Sequence, residues 1–412
     1  MGNQTLENQT GHVWMTSVWT AAEIRKGMEA LLVQFASTLP ENQNAHIVLK
    51  PNLNNDLVAL SGNCTDLRVL TALVEGLQAR GFQNISIADG SNVGVDRRGI
   101  DTFKRLRVDA LAQRLGVQTC NLNAQDGRQH PLHGGATPRI AAIIEDADFL
   151  VSVPTVKTHV EAGLSCAMKN WVGIVVGQDK RQMHYALNQN IQAINEVVKP
   201  DLVVVDGIVG MEGNGPGDGE PVRLGFLVGA THAPLCDLAV ARMVGLECER
   251  IPYLMEARAA GVLSDADVHD VSKAFSLVKQ MVPAPDRPVI AKVSEDPRLA
   301  WLKRAVRPLT DRPVIAEAAY RLGVIQDVYN LEDDEIQGIR RGEADCTPCK
   351  ACEDVCPTGL RVDEIGIKTD MPDCIGCLYC WWVCPDDVLQ LQGSAGAMHR
   401  QVDRYKQVIE KL

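Results

Sequence analysis

Near the C-terminus, eight of the thirteen cysteines fall in two copies of one spacing. The first copy is Cys346, Cys349, Cys352 and Cys356, followed by Pro357; the second is Cys374, Cys377, Cys380 and Cys384, followed by Pro385. Each reads C-x2-C-x2-C-x3-C-P. No other feature restricts the fold as strongly, because this spacing makes the backbone wrap around a common centre. Three thiolates so placed close a tight loop about one cube of iron and sulfide, and the fourth, held at a proline-fixed turn, faces the other cube. The spacing therefore assigns Cys346, Cys349, Cys352 and Cys384 to one [4Fe–4S] cluster, and Cys374, Cys377, Cys380 and Cys356 to a second. Structural zinc uses four ligands in two separated pairs and does not account for a triple at this spacing. Disulfides are the weaker reading: residues 1–6 are polar, with no apolar signal core, and thiols that are not exported stay reduced.

A length of 412 residues predicts two or three domains, and 46% hydrophobic residues is ample for a sizeable core. No run of about 18 apolar residues occurs, so no membrane span is expected. A formal charge of −11 argues against a nucleic-acid partner and suits a cytoplasmic protein. Trp381 and Trp382, inside the second cysteine run, read as packing around a cluster.

Strand and helix patterns alternate over the first 250 residues. Residues 46–50 form an apolar run closed by Pro51. A helix opens near Thr65–Asp66, carries Leu67, Leu70, Leu73, Val74 and Leu77 on one face, and ends at Gly81. Strands are expected at 85–88, near 117, at 149–153 and at 202–205, with a helix over 101–115. The fold class is α/β, a mainly parallel sheet with helices on both faces, plus a small C-terminal ferredoxin-like domain with two [4Fe–4S] clusters. The expected division is an α/β domain at 1–285, a helical connector at 286–340, the cluster domain at 341–392 and a packing helix at 393–412. Pro283, Pro285 and Pro288 mark the linker, a short helix is expected at 297–306, and Met398, Val402, Tyr405, Ile409 and Leu412 form one apolar stripe.

Each of four strands ends in polar residues: Lys50–Pro51–Asn52, Asp89–Gly90, Pro154 with Lys157 and His159, and Asp206–Gly207. In an open parallel sheet such ends share one edge, where ligands bind. Lys50, Asn52, Asp89, Lys157, His159 and Asp206 are thus candidates for one crevice. Lys169 and Asn170, in Met168–Gly173, and Glu212, at the start of the four-glycine loop 212–219, are candidates for its lining. Lysines at one crevice suit a small anionic ligand. His159 and His184 titrate near neutral pH and could move protons, although a lone histidine is more often a hydrogen-bonded structural residue. The glycine loop reads equally well as a surface turn. Cys64, Cys120, Cys166, Cys236 and Cys248 show no pairing pattern and read as small buried hydrophobes.

Taken in order, Leu49–Leu53, Ala88–Gly90, Val153–His159, Met168–Gly173, His184, Val205–Gly207 and Met211–Pro216 resemble the motifs of domain of unknown function family 362, over roughly residues 45–245. Members are described as iron–sulfur centre proteins, and many carry a ferredoxin-like module at the C-terminus. The family often has a lysine where this chain has Thr155. The cysteine module is separately similar to bacterial two-cluster ferredoxins over about 341–392. The resemblance implies an architecture and site positions but no substrate. The leading expectation is an iron–sulfur oxidoreductase that exchanges electrons with a small anion, with Lys157, Lys169, His159 and His184 as the catalytic candidates. Two alternatives stand beside it: an electron-transfer or redox-sensing subunit docked to a redox partner protein, and a maturation factor carrying metal or cofactor.

Overall fold

A computed structural model describes residues 2–285, 332–342, 346–347, 349–368 and 371–412. Pro288 and the helix expected at 297–306 lie outside the described residues, as does most of the expected connector.

The strands of the large domain are β1 (Gln4–Glu7), β2 (His12–Ser17), β3 (Ile47–Pro51), β4 (Ile85–Asp89), β5 (Gln118–Asn121), the small hairpin β6 (Gly127–Gln129) with β7 (Arg139–Ala141), β8 (Phe149–Val153), β9 (Thr155–His159), β10 (Gly163–Ser165), β11 (Leu202–Glu212) and β12 (Glu220–Ala230). The helices that frame the site are α1 (Ala21–Gln34), α2 (Leu67–Gln78), α3 (Thr102–Arg105), α4 (Val108–Leu115), α5 (Ala167–Asn170), α6 (Lys180–Met183), α7 (Leu187–Val197) and α8 (Ala233–Met243).

The main sheet runs β1-β2-β12-β11-β8-β3-β4-β5. From β11 to β5 every neighbour is parallel. β12, β2 and β1 extend it as an antiparallel edge, and β9 joins β11 in parallel while pairing with β10. Side chains alternate between the faces of a strand. Ile47 and Leu49 of β3 and Leu202 and Val204 of β11 therefore enter one core with α1 and α2. Val48, Val203 and Val205 enter the other with α7 and α8. Both faces are covered, and so the parallel strands read as continuous apolar runs.

α2 forms where the sequence places it. Asp66 caps it by accepting from the Arg68 N–H, and Gly81, just beyond its end, takes a φ of 95° that suits glycine. The helix expected over 101–115 is instead two pieces, α3 and α4, because Arg107 adopts a left-handed φ of 62° between them.

The C-terminal module consists of β13 (Glu335–Arg341), α9 (Ala351–Asp354), α10 (Tyr379–Trp382), β14 (Leu389–Ser394) and α11 (His399–Ile409). β13 pairs antiparallel with β14. Residues 335–341 are therefore strand rather than helical connector, and a boundary at 392 would cut β14. A module this small completes its sheet with the chain on both sides of its cysteines. Leu360, Ile365, Tyr379, Trp382, Tyr405 and Ile409 pack into the same apolar cluster as α1 and α2.

Candidate functional site

The carboxyl ends of β3 and β4, together with β9, α5 and α6, enclose a cavity of about 360 Å³. Lys50, Asn52, Asp89, Lys157, His159, Lys169, Asn170 and His184 all line it. Thr155, Lys157 and His159 alternate along β9, which puts all three on the cavity face.

The floor is a buried network. Lys50, 1% exposed, holds its Nζ 2.5 Å from Asp89 Oδ1 on the neighbouring strand. It also donates to Asn170 Oδ1 at 2.9 Å and to the Pro51 carbonyl at 2.8 Å. The other oxygen of Asp89 accepts from the Leu53 N–H at 2.5 Å. Asn170 donates to the Lys50 carbonyl and to Ser152 Oγ, which ties α5 to β3 and β8. Burial pushes the Lys50 ammonium below its usual range, against the opposing pull of Asp89. Two glycines make room for these ammoniums. A Cβ on Gly173 would stand 2.5 Å from Lys50 Nζ, and one on Gly90 would stand 2.5 Å from Lys180 Nζ.

Three further lysines face this floor, and among the described residues none has a carboxylate within ion-pair distance. Lys157 donates to Asn52 Oδ1 at 2.8 Å and to the Asn63 carbonyl at 2.6 Å, both neutral acceptors. Lys180 donates to Asn123 Oδ1. No protein acceptor stands at Lys169 Nζ among the described residues. Burial pushes Lys157 down to about 8, with the charge of Lys169 adding to the effect; it pushes Lys169 to about 8 and Lys180 to about 7. Sequence reasoning used Lys180 only as a neighbour of His184. No periodicity reported it, because it reaches the cavity from a one-turn helix.

His159 Nδ1 accepts from the N–H groups of Glu161 and Ala162 at 3.0 and 3.2 Å. Those bonds place the proton of a neutral ring on Nε2. His184 lies at the exposed rim, its Nδ1 3.1 Å from Glu161 Oε2. Cys166 also lines the cavity, and burial holds its thiol well above the ordinary range, as for an inert core cysteine.

Two expected members lie elsewhere. Asp206 accepts from the Asp66 N–H at 2.7 Å and the Ile208 N–H at 3.1 Å, beneath the start of α2. Burial, with the Asp66 carboxylate next in weight, pushes Asp206 up to about 7. β11 continues past this residue, so Asp206 is mid-strand and not at a strand end. Glu212 turns outward and accepts from the Val282 N–H. Of the glycine loop, Pro216 and Gly217 reach the cavity rim.

In the module the sequence repeat is also a backbone repeat. Lys350 and Leu378 each follow the second cysteine of a run, adopt φ of 62° and 65°, and open a one-turn helix carrying the third. Cys380 has Cys377, Cys356 and Cys374 within electrostatic reach, and more weakly Cys352; Cys377 has Cys356 and Cys374. Cys352 instead neighbours Cys349 and Cys346. Cys356 Sγ accepts from the Leu360 N–H at 3.3 Å, the kind of bond that tunes cluster sulfur. Burial holds the Cys352, Cys377 and Cys380 thiols above the usual range, so binding iron there would release protons. The donor set thus fits [4Fe–4S] ligation.

These features define an iron–sulfur electron-transfer protein built on an α/β domain. Residues 47–242 match the domain of unknown function (DUF362), and residues 338–385 match a 4Fe-4S dicluster domain. It is 27% identical over 234 residues to the thylakoid-associated protein sll1697 of Synechocystis sp., a match covering 52% of this chain and 68% of the relative. Among solved structures, the lactate racemase apoprotein of Thermoanaerobacterium thermosaccharolyticum aligns with a TM-score of 0.37 and 13% identity. That alignment covers 58% of this chain and 62% of the racemase, a likeness too slight to bear on the fold or the function. Among the described residues no helix is long and apolar enough to cross a membrane.

Proposed function

We propose that the chain is an iron–sulfur oxidoreductase that binds a small polyanion in the lysine cavity and exchanges electrons with it through two [4Fe–4S] clusters. The observation that carries this reading is the set Lys157, Lys169 and Lys180: buried or half-buried ammoniums in one cavity with no carboxylate partner among the described residues. Charge held away from water without a counter-ion is unfavourable, and an anionic ligand would supply one.

In this reading Lys50, Asp89, Asn52 and Asn170 form the rigid floor. Lys157, Lys169 and Lys180 hold the anionic groups, and His159 Nε2 delivers or accepts a proton, with His184 at the entrance. Crossed ligation draws support from Cys356, which stands within electrostatic reach of Cys377 and Cys380 of the second cysteine run. When bound, the clusters supply one-electron transfer. A separate redox partner protein feeds them, and the setting is the reducing cytoplasm, where thiols persist.

The test is native mass spectrometry and iron and sulfide analysis of protein purified without oxygen, followed by calorimetry with phosphate, oxalate and citrate. The expected result is about eight irons and eight sulfides, together with binding of at least one of these anions that is lost in Lys157→Met and Lys180→Met. A fully loaded protein that binds none of them would shift the reading to an electron-transfer subunit docked on a partner protein.

A further inference from the structure

The module is not appended at random. Its second cysteine run meets the turn Asn63–Leu67, the far end of which bonds to the cavity residue Lys157. Tyr379, between Cys377 and Cys380, accepts at its hydroxyl the Leu67 N–H at 3.2 Å. Cys377 lines a small seam cavity with Thr65, Leu67 and Tyr379, and has Asp66 within electrostatic reach. From Leu67 the chain runs back four residues to Asn63, whose carbonyl accepts from Lys157 Nζ at 2.6 Å. Midway, Thr65 Oγ1 accepts from the N–H of Asn52, which lines the cavity. Four residues span at most about 14 Å. Every residue from 58 to 74 is buried, so the turn that links the two sites is itself shielded from bulk water. Cys352, which belongs to the other cluster, instead faces Arg341 of β13.

We propose that the buried turn Asn63–Leu67 couples anion occupancy of the lysine cavity to the redox state of the cluster held by Cys356, Cys374, Cys377 and Cys380, and not to that of the cluster held by Cys346, Cys349, Cys352 and Cys384. The inference rests on the anion reading above. A buried charge acts on another through weakly screened protein. An oxidised cluster carries one more positive charge than a reduced one, so it favours an anion in the cavity. By linkage, the anion favours oxidation of that cluster by the same factor. The redox state then regulates ligand affinity: the site holds its anion more tightly when the near cluster is oxidised and releases it more readily when that cluster is reduced.

The probe is inorganic phosphate. It is titrated calorimetrically into anaerobic holoprotein poised oxidised or reduced, and each cluster's midpoint is followed by electron paramagnetic resonance with and without saturating phosphate. The expected result is several-fold tighter binding to the oxidised protein and a matching fall in the midpoint of one cluster. That cluster's signal should be the one removed by Cys374→Ser. Should Cys374→Ser fail to assemble, Tyr379→Phe identifies it, because the lost hydrogen bond to Leu67 perturbs only the adjacent cluster. Equal affinity in both redox states, or a shift confined to the other cluster, overturns this inference and leaves the anion reading standing. Absence of phosphate binding in both states overturns this inference, and failure of oxalate and citrate to bind as well overturns the anion reading with it.

Discussion

Lys157, Lys169 and Lys180 line one cavity, buried or half-buried, and burial depresses all three, to about 8, 8 and 7. An unfolded lysine titrates near 10.4. Between the folded and unfolded values the unfolded chain binds more protons, so stability of the ligand-free fold rises as pH climbs from about 7 toward 10. Anion binding needs the charged form and moves the opposite way, falling by up to tenfold per pH unit per lysine above its folded value. Calorimetry from about pH 6 to 9, in buffers of different ionisation enthalpy, should show affinity falling and protons taken up on binding. A pH-independent affinity would mean that these lysines do not hold the anion. Gly173 bears on the same chemistry through space. Its Cβ position lies 2.5 Å from Lys50 Nζ and 2.6 Å from Asp89 Oδ1, so Gly173→Ala must part that ion pair. The expected loss is about 1–3 kcal/mol of stability in denaturant titration, with weaker anion binding.

At the scale of elements, the start of α2 separates what the sequence could report from what it could not. Asp66, the leucine stripe and Gly81 mark the helix unaided, because capping and periodicity are local. Lys50, Asp89 and Lys157 were legible as strand-end residues of a parallel sheet, where topology fixes their shared edge. Asp206 obeyed the same rule on paper but sits mid-strand, since β11 runs on to Glu212 to pair with β12. The antiparallel edge β1, β2 and β12 went unread, because its pairing is long-range and turns on register rather than on periodicity. Lys180 was missed for a similar reason: only tertiary packing brings its one-turn helix to the cavity. Asp206→Ala leaves the buried N–H groups of Asp66 and Ile208 without acceptors, and a loss of about 1–3 kcal/mol per orphaned group is expected. Melting curves should show that loss, while calorimetry with the oxidised protein should find anion affinity unchanged. A selective loss of affinity would return Asp206 to the site.

At the scale of the whole molecule, the cysteine module and the α/β domain share one apolar cluster, so neither is energetically independent. The proposed crossed ligation would make the module itself a unit. Cys356→Ala should disturb the cluster of Cys374, Cys377 and Cys380 while sparing the spectrum of the other, and loss of the Cys346 set instead would reverse the assignment. The shared core extends the consequence to the large domain. Loops that wrap a cluster bury little surface of their own, so stripping the iron with a chelator should unfold them. Tyr379, Trp382 and Leu360 would then leave the shared apolar cluster, with loss of the hydrogen bonds Leu67 N–H to Tyr379 Oη, Val58 N–H to Gln401 Oε1 and Gln401 Nε2 to the Asp56 carbonyl. Each such bond contributes about 1 kcal/mol, and each kcal/mol shifts the melting of a domain this size by about 2–4 °C. Scanning calorimetry of the chelated protein should therefore show the α/β transition still present but lowered by several degrees. An α/β transition at the same temperature with and without iron would mean that the docked face contributes nothing to that domain. The hydrogen-bonded path from Tyr379 to Lys157 would then be a contact without energetic weight, and the proposed coupling would lose its physical carrier.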